Sequence, residues 1–425
     1  MSLIKRLWLA DLPDISERHR WLADLFMVQF TIVYIVLLVA TYHYIFLGPL
    51  TGEEVSFRFV LSWLAACATT GAQLGVGQML LWFAVGALVL NVSIRALVIH
   101  RAYHAHQATF GHPLPLNQLI GNVCTNLLNM AFTPLVLLVL ALLARCSGYS
   151  WEDGWSTMTR LRGLAEMGIA RVPTIVDLPR PLAFLVVLMV VTLVHYWAHR
   201  LSHTMRFMWL VIHRLHHVTE DISPVTTLPS LISFPIVFVL MVPYLFIFGA
   251  LSKLFYPEPL LFELIAFNLV IMVAEMYNHA AALHQTTTQA RWLRWLGFSF
   301  SLAGYHLLHH ASDRDERFRK TAYTANLGPG LFCCWDKLFG TYRPLGETVP
   351  LTGLVGRPRL VTNPLRLLVA GVAQIACELA WNKSWRTRFW IIFGDVDYAP
   401  PISKDFILYD EVLRQPGRRC SLSSN

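Results

Sequence analysis

Apolar residues in this chain fall into long unbroken blocks, and polar residues collect in the gaps between them. The blocks are Leu25–Leu47, Met79–Ile99, Leu119–Leu143, Pro181–Trp197, Leu231–Leu251 and Leu260–Tyr277. A helix needs roughly 20 apolar residues to cross about 30 Å of hydrocarbon, so the pattern predicts about six membrane spans. Lipid offers the backbone no hydrogen-bond partner, which favours helices that satisfy their own peptide groups. The expected fold is therefore all-α, a polytopic helical membrane protein. Two shorter apolar runs need a different reading. Phe57–Thr70, followed by "GAQLGVG", fits an interfacial segment or part of a bent second span. Leu365–Trp381 fits an amphipathic or re-entrant helix, and the closing "PGRRCSLSSN" reads as a tail.

Composition supports the membrane reading. Hydrophobic residues make up 55% of the 425 residues and charged ones only 14%, against roughly 25% charged in soluble domains. Mean hydropathy is +0.50. The first apolar run lies behind Pro13, Asp14, Glu17 and Arg20 and is too long for the core of a cleavable signal peptide. The net charge of +8 comes largely from arginines beside the spans, which fits contact with anionic headgroups. No separate basic domain exists, so nucleic acid is not an expected partner. The seven cysteines (Cys67, Cys124, Cys146, Cys333, Cys334, Cys377, Cys420) are odd in number and scattered. They suggest neither a disulfide framework nor a cysteine-rich zinc site.

The polar gaps carry the candidate chemistry. Four segments are rich in histidine: "HRLSH" (His199, His203), "HRLHH" (His213, His216, His217), "NHAAALH" (His279, His284) and "HLLHH" (His306, His309, His310). With seventeen histidines in the chain, one His-x-x-His-His match is expected by chance only about 0.03 times, and here there are two. Positions three or four apart share a helix face, so each strong motif can present two or three imidazoles together. The three strong motifs, "HRLSH", "HRLHH" and "HLLHH", hold eight histidines, twice what a tetrahedral zinc site needs, which argues for two metals. Polar clusters at a membrane face are costly without partners, and metal is the obvious partner. His195, one turn before His199, reads as packing. "HRAYHAHQATFGH" (His100, His104, His106, His112) reads as interfacial decoration.

Chain geometry suggests how these motifs meet. Residues Leu231–Tyr277 have room for two crossings with a turn at Ser252–Leu260, so His213–His217 before them and His279 after them lie on one side of the bilayer. His199 and His203 end the span Pro181–Trp197 on that side, and His306–His310 follow without a further crossing. Lys5, Arg6, Arg200, Arg206, Arg214, Arg291, Arg294 and Arg317 argue that this face is cytosolic. Arg160, Arg162, Arg171 and Arg180 fall on the opposite side of the same count. A membrane-lying helix there or a miscounted span would reconcile them.

The motifs "YWAHRLSH", "HRLHH", a histidine after the hairpin, "YHLLHH" and "WDKLFGTY" (Trp335–Tyr342) resemble the fatty acid hydroxylase/sterol desaturase superfamily over about Phe184–Pro344. A weaker echo lies near "SWRTRFWIIFG" (Ser384–Gly394). The resemblance implies two iron ions held at the cytosolic face. Dioxygen and two electrons are then used to hydroxylate or desaturate a lipid C–H position, on a sterol or fatty-acyl chain. It carries the ligand role to His199, His203, His213, His216, His217, His306, His309 and His310, with His279 and His284 from the middle motif. It also implies a separate electron-donor protein, cytochrome b-type or ferredoxin/reductase, because the chain has no His-Pro-Gly-Gly haem signature. Residues 1–180 are then a membrane-spanning region of unknown role. Residues 181–345 form the catalytic domain, and 346–425 an amphipathic helix and tail. Two departures concern the substrate: Thr192 stands where many relatives have an acid, and "TTLPS" (Thr226–Ser230) where many have Arg-x-His-Pro. Competing readings are a zinc or iron transporter, which needs ionisable residues within the spans, and a bis-histidine haem carrier. The spans are almost uninterrupted Leu, Val, Ile and Phe, which favours the oxygenase.

Overall fold

The computed structural model describes residues 167–219, 247–260, 278–284, 289–297, 303–312, 324–328, 332–344, 349–353 and 363–401, with a few residues elsewhere. The expected spans Leu25–Leu47, Met79–Ile99, Leu119–Leu143, Leu231–Leu251 and Leu260–Tyr277 lie wholly or largely outside them. Described residues are mainly helical, and pairing among them is limited to isolated bridges, such as Ala311 with Thr352.

Helix α1 (Arg180–Thr204) is the one described helix long and apolar enough to cross a membrane. It starts where sequence places the fourth span, with Pro181 in its first turn, a position where a missing N–H costs nothing. It runs seven residues beyond the apolar block, so His199 and His203 sit on the same continuous helix as the span. Ala183, Val187 and Val191, spaced by four, are buried. Leu182, Leu185, Val194, Trp197 and Leu201 are exposed. An apolar helix with an exposed apolar face is what a lipid-facing span requires.

The chain then tightens and widens in quick succession. Met208–His213 is a π-helix and Arg214–His217 a 3₁₀ turn. A short 3₁₀ turn at Ala281–Leu283 precedes α2 (Arg291–Leu296) and α3 (Ala303–His309). Helix α4 (Cys334–Leu338) lies in the family-marker segment. Near the C-terminus come α5 (Pro364–Trp381) and α6 (Trp385–Phe393). Asn363 caps α5 by accepting from Arg366 N at 2.9 Å, the usual service of an N-cap amide.

Helix α5 packs under the second histidine motif. Its Leu367 and Leu368 bury against Leu215, and its Ile375 joins Trp209, Leu210, Val211 and Ile391. Gly371 allows this approach, because a Cβ there would collide with the carbonyl of Leu210. Arg206, counted in the sequence among the cations of the membrane face, is buried. Its guanidinium makes a two-pronged ion pair with Glu378 of α5, one prong at 2.6 Å, and donates to the carbonyls of Ile391 and Tyr398. Arg214 is also buried and donates to Gln374 Oε1 at 3.2 Å. Arg206 thus fastens α5 and α6 beneath the motif, and Arg214 fastens α5. The charge-counting argument for orientation loses these two residues.

Candidate metal centre

The structure gathers the histidine motifs into two adjoining sets of four. His199, His203, His213 and His309 form the first set, and His216, His279, His306 and His310 the second. Within each set the candidate ligand nitrogens lie within 4.8 Å of one another. Helix α1 supplies His199 and His203 by i, i+4 spacing, as the sequence suggested. The other strong motifs are divided. "HRLHH" sends His213 to the first set and His216 to the second, because the change from π to 3₁₀ winding breaks the shared helical face. "HLLHH" sends His309 to the first set and the i, i+4 pair His306 and His310 to the second.

His217 lies between the sets. Its ring stacks on His310 with centroids 4.2 Å apart and lies 4.8 Å from His309 and 4.9 Å from His203. His284 is buried outside both sets. His195, half-buried, is outside them too.

Ring nitrogens converge as ligands of shared ions would. His199 Nε2 and His217 Nε2 each lie 3.1 Å from His213 Nε2. In the second set His279 Nε2 is 3.1 Å from His216 Nε2, which is 3.2 Å from His310 Nε2, which is 3.1 Å from His306 Nε2. Two nitrogens each about 2.0–2.1 Å from one ion sit about 2.9–3.4 Å apart at octahedral to tetrahedral angles. The observed spacings fall within that interval.

Protonation fits as well. Burial, reinforced by neighbouring imidazoles, pushes the pKa values of His213, His217, His306 and His310 well below the ordinary histidine range. His309 shifts the same way, with a backbone hydrogen bond in opposition. The rings are therefore neutral, the form that binds metal. The Nε2 of His309 is buried without a hydrogen-bond partner, which a coordinated ion would relieve. An all-imidazole donor set suits iron, zinc or copper.

Backbone carbonyls orient two candidate ligands of the first set. His199 Nδ1 lies 2.7 Å from Leu327 O, and His309 Nδ1 lies 3.0 Å from Ala325 O. A ring N–H bound to a carbonyl directs the other nitrogen toward the metal. The 325–328 strip that offers these carbonyls is itself pinned. Asn326 has a positive φ of 52°. Its side-chain amide donates to Tyr305 O at 2.8 Å and accepts from Arg343 N at 2.7 Å. Asparagine tolerates this backbone region better than most residues.

The segment Trp335–Tyr342 locks against α1. Trp335 Nε1 donates to Thr192 Oγ1 at 3.0 Å, Tyr196 and Thr341 hydroxyls lie 3.0 Å apart, and Phe339 stacks on Tyr196. Thr192, the residue in an acid's usual place, here receives an indole.

Comparison with known proteins agrees with the motifs. Residues 184–341 match the family model described as Fatty acid hydroxylase. That match places residues 184–341 in likeness to the fatty acid hydroxylase/sterol desaturase superfamily. The chain is similar to alkylglycerol monooxygenase of Homo sapiens, 24% identical over 239 residues that cover 54% of this chain and 46% of the relative. It is also similar to alkylglycerol monooxygenase of Xenopus tropicalis, 26% identical over 219 residues that cover 48% and 40%. The matched region thus spans less than half the length of either relative. No solved structure matches.

Sequence reasoning missed the buried polar contacts around the histidines, those of Asn326, Tyr305 and Asp336 beside the first set and the Arg206–Glu378 pair beneath the second motif. The one available signal was an acidic residue, Asp336, set between Trp335 and Lys337 in a segment otherwise rich in aromatics.

Proposed function

We propose that this chain is a membrane lipid monooxygenase with a di-iron centre held by the two histidine sets, His217 assisting between them. The observation that carries this reading is the paired convergence of neutral, buried imidazoles at ligand spacing. The family likeness of residues 184–341 supports iron as the metal. When bound, the irons supply dioxygen activation. The net reaction is R–H + O₂ + 2e⁻ + 2H⁺ → R–OH + H₂O, so one oxygen atom enters the substrate and the other leaves as water. A desaturase outcome would consume the same oxidant and electrons and release two waters.

The chain's own residues perform three tasks in this scheme. The histidines remain neutral because burial disfavours their charged form, and so they stay available as ligands. Leu327 and Ala325 carbonyls hold the rings of His199 and His309 in one tautomer. The apolar face of α1 keeps the site beside lipid, where a hydrocarbon chain can reach it while its position selects the C–H that reacts. Electrons come from a separate donor protein docking at the cytosolic face.

The relatives' name makes alkylglycerols the first substrates to test, ahead of sterols and free or esterified acyl chains. The test is purification in detergent with metal analysis, together with lipid profiling of a host with and without the chain. Two irons per chain and a lipid gaining one oxygen are expected. Absence of bound iron, or full activity after replacement of His309 and His310, would overturn the reading.

A further inference from the structure

Asp336 lies outside both histidine sets and is fully buried, at 0% exposure. Its carboxylate collects four donors. Oδ1 accepts from Leu327 N and from Thr341 Oγ1, each at 2.6 Å. Oδ2 accepts from Gly328 N at 2.6 Å and from the Tyr305 hydroxyl. Two of the four are consecutive peptide N–H groups on the 325–328 strip, whose carbonyls bind the rings of His199 and His309.

The peptide joining Leu327 to Gly328 is the link. Its N–H is held by Asp336, and its carbonyl is held against His199 Nδ1. A trans peptide is planar, with N–H and C=O pointing in opposite directions, so fixing one end aims the other. A carboxylate on the N–H also polarises the carbonyl and strengthens its hydrogen bond to the imidazole. Gly328 is the residue that permits this grip. A Cβ there would collide with Asp336 Oδ2 and come within 2.9 Å of Phe332 O.

We infer that Asp336 is a positioning residue for the first histidine set: through the Leu327–Gly328 peptide it fixes the orientation and basicity of His199, and through the same strip that of His309. Among the described hydrogen bonds, none joins a ring of the second set to this peptide. Asp336 therefore governs one metal site selectively. The inference rests on the di-metal reading above.

The experiment uses the full chain in detergent, stripped of metal and titrated with Co(II), whose visible bands report each site, and in parallel with Fe(II). Asp336→Asn keeps the size of the side chain but turns an NH₂ group toward one of the peptide donors. The expected result is about 10- to 100-fold weaker metal binding at the first set. One class of cobalt bands should be lost while the other stays unchanged. Gly328→Ala, which pushes the carboxylate away and preserves its charge, is expected to reproduce this selective loss.

Wild-type affinity and spectra at both sites in Asp336→Asn would overturn the inference. So would parallel loss of both sites in proportion to unfolded protein, or failure of both variants to yield a folded chain, since Asp336 would then serve the fold alone. A wild-type chain that binds fewer than two ions would instead overturn the di-metal reading, which keeps the two failures distinct.

Discussion

Two buried carboxylates flank the histidine sets, and they are satisfied in opposite ways. Glu378 on α5 meets a full positive charge, the two-pronged guanidinium of Arg206, with Gln374 Nε2 adding a contact at 3.1 Å. Asp336 meets no cation in its described contacts, only peptide N–H groups and hydroxyls. Burial raises the Asp336 carboxyl above the ordinary carboxylate range, and those donors pull it back down. A charge paired with a charge fastens one element to another, here the turn after α1 to the C-terminal helices. A charge paired with peptide dipoles gives direction to those peptides, here toward the metal ligands. The first region should fail as a fold and the second as a site.

The largest expected effect removes a ligand outright. His309→Ala is expected to cost more than the roughly 100-fold ceiling typical of residues that only orient ligands. Metal analysis and turnover on the identified lipid would both register it. Retention of two irons by this variant would break the metal side of the comparison.

Next comes Arg206→Ala, which strands the Glu378 charge and should cost about 3–5 kcal/mol. Thermal unfolding of the metal-free chain would show it. The fraction that remains folded is expected to bind both metals, and selective loss of one would erase the contrast with Asp336. Gly371→Ala tests the same side more gently. The new methyl collides with the Leu210 carbonyl, and overpacking of this kind costs about 1–3 kcal/mol. Its signature is a lower Tm with unchanged metal content.

The smallest effect is on the Asp336 side. Thr341→Val removes one hydroxyl donor and leaves both peptide contacts in place, for about 1 kcal/mol. Both metal sites should survive, because the Leu327–Gly328 peptide is still held. Cobalt titration beside Asp336→Asn would sharpen the distinction between a donor that stabilises the carboxylate and a peptide that it aims.

These contrasts also explain what could be read from the sequence. The histidine clusters were legible because histidine is rare and their spacing is local, as with His199 and His203 on one helix face. Helix α1 was legible because hydrocarbon thickness dictates its length. The division of "HRLHH" between two sets was not, since the i, i+3 and i, i+4 rules presume an α-helix, and the motif straddles π and 3₁₀ winding. Arg206 and Arg214 were assigned to the surface because counting charges says nothing of a partner such as Glu378, 172 residues away. Asp336, Tyr305 and Asn326 act through contacts between distant segments and carry no periodicity. Their neighbours on the chain do not reveal them.

The turn Met208–His217 has a consequence for how this centre could change. His213 belongs to one histidine set and His216 to the other, and only two residues separate them along the main chain. The gap between the two sets is therefore a dimension cut into the backbone, like the pitch of a screw. Swapping a side chain leaves that dimension alone, whereas inserting or deleting one residue between His213 and His216 would turn His216 by about 100° away from its set. Evolution can retune what reaches this centre far more easily than it can respace it.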